Sequence, residues 1–334
     1  MRILVTGSSG FIGCFLVPEL LARGHDIIGL DVRVGPEFGP SFRFKRGNIL
    51  DAGVVRESME GIDLVIHLAA EHKDFGVAER LYHEVNVEGT KNLLRCATEC
   101  GVGKFVFFSS VAVYGSSPIP THEGLECSPE LPYGRSKLLA EHAVEEWAQT
   151  DRCRSVVIIR PTVVFGPFNR ANMFRLIEAV RERRYLGVGD GQNVKSVAYV
   201  ENLTSATAFL VDRMSAGVNT VNYSDSPHLT TRELVRCIAE ALGVRVPGIR
   251  IPKRLALICA LPFDVVARVT GKDLPLTAKR IGKFTDATHH RAERIREQGY
   301  KAPFTLDDGI RKTVAWYLEH QRAGPPGRPV ARKL

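Results

Sequence analysis

Over its first ~165 residues the chain alternates short runs of β-branched and aliphatic side chains with longer segments whose apolar positions recur every three or four residues. The runs from Arg2 to Thr6, Asp26 to Asp31, Asp63 to Leu68, Lys104 to Ser109 and Ser155 to Arg160 predict strands, and the segments 11–23, 78–100 and 133–149 predict amphipathic helices. Strand and helix in strict alternation imply right-handed βαβ crossovers and a doubly wound parallel sheet. After Gly166-Pro167 the alternation breaks, with helices expected over 173–184 and 200–214 and a strand near 219–223. The expected organisation is a first unit over 1–165 with returning segments near 196–225, and a smaller lobe from 166–195 and 226–320. The strongly apolar run 255–269 is interrupted by Pro262 and Asp264 and is too short to cross a bilayer, so no stable membrane insertion is expected.

Composition changes this picture little. At 334 residues, 44% hydrophobic and 25% charged, the chain has the make-up of an ordinary packed protein. Its start runs straight into predicted structure without a signal-peptide pattern, which reads as cytoplasmic. Seven cysteines without a Cys-x-x-Cys pair suggest neither a disulfide framework nor a metal site. The net charge of +8 raises nucleic-acid binding as a hypothesis, but four bases lie beyond the last acid, Glu319, three of them in a Gly/Pro/Arg tail over 323–334 that is expected to be disordered. With no basic stripe interleaved with aromatics, nucleic acid is not an expected partner, and an anionic small molecule fits the charge equally well.

The first strand runs directly into Thr6-Gly7-Ser8-Ser9-Gly10-Phe11-Ile12-Gly13, a Gly-x-x-Gly-x-x-Gly turn opening a helix. Gly7 suits a tight turn, Gly10 lets backbone N–H groups approach a pyrophosphate, and Gly13 lets helix and strand pack closely. Asp31 ends the second strand, where its carboxylate can bond an adenosine ribose and repel a 2′-phosphate, which favours NAD; Arg33 partly offsets that repulsion, so NADP stays open. The small residues after His67-Leu68, Ala69 and Ala70, leave room for a flat cofactor.

Two further segments carry chemistry. Tyr133 and Lys137 stand four apart at the start of a helix, hence on one face, where an ammonium beside a phenol favours phenolate and equips Tyr133 to take a hydroxyl proton. Ser109 and Ser110 end the fifth strand, at the carboxyl edge where open α/β sheets bind ligands.

Together with Asn86 in Val85-Asn86-Val87-Glu88-Gly89-Thr90, the run Arg160-Pro161-Thr162-Val163-Val164-Phe165-Gly166-Pro167, and Gly189-Asp190-Gly191 ahead of Tyr199-Val200-Glu201-Asn202-Leu203, these motifs resemble the extended short-chain dehydrogenase/reductase family. The likeness is to its NAD-dependent epimerase/dehydratase branch, over residues 1 to 320. The resemblance implies a Rossmann-type sheet with a smaller C-terminal substrate-binding lobe, NAD as cofactor and a homodimer. It implies Tyr133 as acid/base, Lys137 as its electrostatic and ribose partner, and Ser110, with Ser109 as the alternative, as the hydroxyl aligning the substrate oxygen. It further implies that Gly7, Gly10, Phe11, Ile12, Gly13, Asp31, Arg33, Asn48, Ile49, Leu68, Ala69, Ala70, Asn86, Ser109, Pro161 and Val163 surround the cofactor.

For the substrate, the sugar enzymes of this family grip the nucleotide-sugar diphosphate with an asparagine where this chain has Val163, a departure from the pattern. Lys195 stands where they carry a basic residue toward the diphosphate, and Arg280 adds a second candidate cation. The acid/base pair of the 4,6-dehydratases falls on Val111 and Ala112, neither of which moves a proton, so dehydration is disfavoured. The expected activity is a nucleotide-sugar 4-epimerase or a 4-keto-sugar reductase. A hydroxysteroid-dehydrogenase-like enzyme for an apolar alcohol is the alternative, and a non-catalytic NAD-binding protein is the third reading.

Overall fold

The computed structural model describes residues 1–73, 77–246, 248, 250–270 and 278–322, so the arginine-rich tail lies outside the described residues. The first part runs β1 (Arg2–Thr6), α1 (Gly13–Ala22), β2 (Asp26–Asp31), β3 (Phe42–Arg46), α2 (Ala52–Ser58), β4 (Leu64–His67), α3 (Glu79–Tyr82), α4 (Gly89–Glu99), β5 (Lys104–Phe108), α5 (Pro132–Gln149) and β6 (Ser155–Pro161). There follow β7 (Val163–Phe165), α6 (Asn172–Arg181), β8 (Gly187–Val188), β9 (Val194–Lys195), β10 (Val197–Tyr199), α7 (Val200–Val211), β11 (Gly217–Tyr223), β12 (Leu229–Thr230), α8 (Thr231–Leu242) and β13 (Arg250–Ile251). Four helices complete the described chain: α9 (Lys253–Thr270), α10 (Ala278–Thr285), α11 (Glu293–Glu297) and α12 (Leu306–Arg322).

Seven of the strands form one parallel sheet in the order β11-β6-β5-β4-β1-β2-β3. This is a Rossmann-like doubly wound sheet. The winding direction reverses between β1 and β4, so their carboxyl ends open the crevice where such sheets take ligands. Side chains alternate across the sheet as the pleat requires. Ile3 and Val5 join Ile66 and Val106 in a core shared with α1 and α7, while Leu4 joins Val65, Phe105 and Phe107 in a second core shared with α4 and α5. A third core, with Phe165, Tyr199, Ile238, Ile310 and Tyr317, fills the second lobe.

One element differs from expectation. The helix anticipated over 78–100 is divided, because a wide π turn, His83–Glu88, separates α3 from α4. The apolar run 255–269 lies within one helix, α9, which carries Pro262 and Asp264 in its interior: an exposed proline costs one backbone hydrogen bond, and Asp264 accepts from the Ala278 N–H at 3.1 Å. Among the described residues no helix is long and apolar enough to cross a membrane, and no group of His, Cys, Asp and Glu is arranged to hold a metal ion.

Candidate active site

The glycine turn sits on the carboxyl end of β1. Gly7 has φ +73°, in the left-handed region that favours glycine, and a Cβ on Gly13 would lie 2.5 Å from the Gly7 carbonyl oxygen and 2.6 Å from that of Ser8. A side chain at either position would therefore break the turn. Ile12, the residue before α1, provides no side-chain cap, and the first turn holds no acidic residue. Backbone N–H groups at a positive helix end thus face outward beside a floor without side chains, which fits a pyrophosphate. Asp31 is buried at 8% exposure; one carboxylate oxygen accepts from Ser9 N–H at 3.1 Å and the other from Arg33 N–H at 3.0 Å, which ties the glycine turn to the end of β2. Arg33 and Asn48 are exposed, Phe11 and Ile12 pack partly into the cores, and Ile49 is buried, its carbonyl accepting from Asn92 at 2.7 Å.

Between β1 and β4 runs a chain of hydrogen bonds built around His67, which is 1% exposed. Thr90 gives its only proton to the Asn86 carbonyl at 2.6 Å, so at 3.0 Å it accepts from His67 Nε2. His67 Nδ1 then accepts from the Thr6 hydroxyl at 2.7 Å, and Thr6 Oγ1 accepts from the Ala69 N–H at 3.4 Å. Burial, reinforced by Lys137, holds His67 well below its ordinary value, so the ring is neutral and its tautomer is set by its two threonines. The residue was visible in the sequence directly before Leu68-Ala69-Ala70, but there it reads only as the end of a strand.

Asn86, placed by the π turn, ties this chain to the other side of the site. Its carboxamide accepts from Glu71 N–H at 2.8 Å and donates to the Glu71 carbonyl at 3.0 Å and to Ser136 Oγ at 2.9 Å; Ser136 in turn donates to the Tyr133 carbonyl at 2.8 Å. Asn86 therefore positions the loop after β4 and the first turn of α5 together.

Tyr133 follows Pro132, whose fixed φ suits a first helical position. Gly134 supplies the close approach: a Cβ there would sit 2.4 Å from the Ala112 carbonyl, so only glycine lets α5 lie against the short turn that follows Ser110. Tyr133 packs edge-on to Tyr82 at 6.3 Å between ring centroids. Ser110 accepts from Ala112 N–H at 3.2 Å and keeps its own O–H as a donor. Ser109 is 4% exposed, and its hydroxyl, with those of Ser8 and Thr162, has no hydrogen-bond partner among the described residues. Unsatisfied hydroxyls at the strand ends of β5 and β6 fit a site that binds a polar ligand.

Lys137 is 2% exposed, with Nζ 4.1 Å from the Phe107 ring centroid. Burial pulls its ammonium down to about 7, and Glu141, one turn further along α5, works in the opposite direction. Glu141 is itself engaged by Arg160 at 2.9 and 2.5 Å, and Arg160 also donates to Tyr114 at 2.9 Å. Burial opposes the Arg160 charge, but its bonds to Glu141 overcome that and hold the guanidinium above its ordinary value.

Pro161 ends β6 in the core, whereas Val163 on β7 is 47% exposed. Lys195 belongs to a separate set of contacts in the second lobe: on β9, it donates to the Asp286 carbonyl at 2.7 Å, and burial lowers it to about 8 against the pull of Asp286. Arg280 is in α10, but its side chain lies outside the described residues.

The model of the NAD dependent epimerase/dehydratase family matches residues 3–224. The chain is 34% identical, over 96% of both sequences, to the N-acetyl-alpha-D-glucosaminyl-diphospho-ditrans,octacis-undecaprenol 4-epimerase of Escherichia coli O157:H7. It is 30% identical, over 95% of both, to the UDP-glucose 4-epimerase of Vibrio cholerae. Among solved structures it matches MoeE5 in complex with UDP-glucose and NAD at a TM-score of 0.75 and 26% identity, over 96% of this chain and 100% of that one.

Proposed function

The chain belongs to the NAD dependent epimerase/dehydratase family, and on that footing we propose that it inverts C4 of a hexose carried on a diphosphate, with Tyr133 as the proton carrier. The observation that carries this reading is the buried Lys137 one helical turn from Tyr133, beside a strand end whose hydroxyls await a ligand. The glycine turn and Asp31 would hold NAD, which would supply a reversible hydride acceptor for C4.

Each residue has a distinct task. Ser110 donates to the C4 oxygen and fixes its direction. Tyr133 takes the hydroxyl proton as the carbonyl forms and gives it back after the sugar turns its other face, so the cycle consumes no reductant. Lys137, held near neutrality in a dry setting, favours the Tyr133 phenolate without a surplus of solvated charge. Val111 and Ala112 cannot deliver the second proton transfer that water loss at C6 requires, which supports epimerisation over dehydration. Lys195 is the cation for the diphosphate. Epimerisation of diphosphate-activated hexoses is also what the names of the two bacterial relatives describe.

The test is proton NMR of UDP-glucose, UDP-N-acetylglucosamine and undecaprenyl-diphosphate N-acetylglucosamine incubated with the protein as purified, without added reductant. Appearance of a C4 epimer from any of them is the expected result. Failure with all three, together with oxidation of a hydroxysterol by added NAD, overturns the reading in favour of an apolar-alcohol dehydrogenase.

A further inference from the structure

Helix α9 is built inside out. Its small residues, Ala256 and Ala260, turn inward at 4% and 0% exposure to pack with Ile281 of α10. Its large apolar residues turn outward: Leu255 is 50% exposed, Ile258 61%, Leu261 59% and Phe263 38%. A water-facing helix normally shows the reverse pattern. Asp264, the only acidic residue of α9, does not interrupt this surface, since its carboxylate is turned to the first N–H of α10.

Charge in this stretch of the sequence is mostly of one sign. Residues 250–285 contain eight lysines and arginines against two aspartates, an excess of six in a chain whose total excess is eight. Arg250 in β13 and Lys253 and Arg254 at the start of α9 are exposed, and α10 contributes Lys279, Arg280 and Lys283 in sequence without an acid. Outward Leu, Ile and Phe edged by cations, on a helix too polar at its ends to span a bilayer, match the chemistry of an interfacial helix.

We infer that the outer face of α9 docks on an anionic phospholipid bilayer, with Leu255, Ile258, Leu261 and Phe263 entering the headgroup boundary and Arg254 facing the lipid phosphates. The location gives the docking a purpose. Lys253 pairs with Asp286 at 2.9 Å, and the carbonyl of that same Asp286 accepts from Lys195. The docked face is thus joined through one residue to the cation assigned to the substrate diphosphate. On the epimerase reading, a sugar diphosphate borne on a membrane polyprenyl chain reaches the site from the headgroup layer; the docking itself does not depend on that reading.

Co-sedimentation of the full chain with vesicles tests it, using phosphatidylcholine alone or mixed with phosphatidylglycerol. Binding to the mixed vesicles, weakened by salt and about tenfold poorer on pure phosphatidylcholine, is expected. The Leu255→Ser/Ile258→Ser/Leu261→Ser variant should lose binding about tenfold or more. Arg254→Glu, which removes no packing, should lose about tenfold on mixed vesicles only. Tyr133→Phe should bind as the unaltered chain does, so loss of turnover and loss of docking are read separately. Absence of binding by the unaltered chain, or equal binding by both surface variants, overturns the inference. A dimer that the triple variant converts to monomer, without vesicle binding, assigns the face to a second copy instead.

Discussion

The carboxyl edge of the sheet and helix α9 use apolar side chains in opposite ways. At the edge, Phe107 is fully buried and lies under the Lys137 ammonium, so apolar surface serves to strip water from a charge and change its chemistry. On α9, Leu261 and Ile258 are mostly in water and stand outside the cluster that Ala256 and Ala260 form beneath them. The first arrangement shapes reactivity, while the second leaves free energy unspent in the isolated chain and available to a partner. Composition alone cannot separate them, because both segments are rich in apolar residues.

The largest expected effect tests the edge. Tyr133→Phe keeps the ring against Tyr82 and removes only the hydroxyl, so turnover should fall about 10³-fold while NAD affinity stays within a factor of two or so. Steady-state rates and cofactor titration check it; near-normal turnover would remove Tyr133 from the reaction. The comparison itself is sharpened by matched truncations. Leu93→Ala, in the core between the sheet and α4, should destabilise the chain by about 3 kcal/mol, and Leu261→Ala on α9 by no more than about 0.5 kcal/mol. Urea denaturation of both variants decides, and a comparable loss in the two would show that α9 is packed like the core.

Much of the edge was legible in sequence because it rests on local rules. β1 and β2 begin and end where the hydrophobic runs do, since strands buried on both faces leave no room for polar residues before their turns. The glycine turn was legible for the same reason: the helix-opening Gly13 has no substitute where two carbonyls stand within 2.6 Å of a would-be Cβ. Gly134 and His67 were not. Gly134 matters because Ala112, distant in sequence, presses on it, and His67 matters because Thr6 and Thr90 fix its proton. Helix α9 was legible as apolar but not as outward-facing, since which side of it is covered depends on the small residues Ala256 and Ala260 finding α10.

A smaller effect separates charge from packing at Lys137. Its folded value of about 7 lies below the ordinary 10.5, so between those pH values the unfolded chain binds more protons and stability rises with pH. At and below pH 7 the cofactor-free chain carries the full cost of a buried ammonium. Lys137→Met should therefore reduce turnover about 10²-fold yet melt no lower than the unaltered chain at pH 7, and the rise in melting temperature from pH 7 to 10 should flatten in the variant. A melting temperature lowered by several degrees would mean that the ammonium is stabilised where it lies, and the reactivity argument for Phe107 would fail with it.

The smallest expected effect concerns the link between the two regions. Lys195 is half-buried, burial lowers it to about 8 against the pull of Asp286, and it donates to the Asp286 carbonyl at 2.7 Å. Lys195→Ala should raise the KM for a diphosphate-linked sugar about tenfold and leave kcat within about twofold, because the diphosphate is bound equally in ground and transition states. The KM should rise also in the unaltered chain above pH 8, where the lysine loses its proton, and the variant should show no such rise. A kcat loss without a change in KM would place Lys195 with the reacting sugar instead of the diphosphate. The path from the α9 face through Lys253 and Asp286 would then lead to the hexose, and a carrier lipid would have to enter from elsewhere.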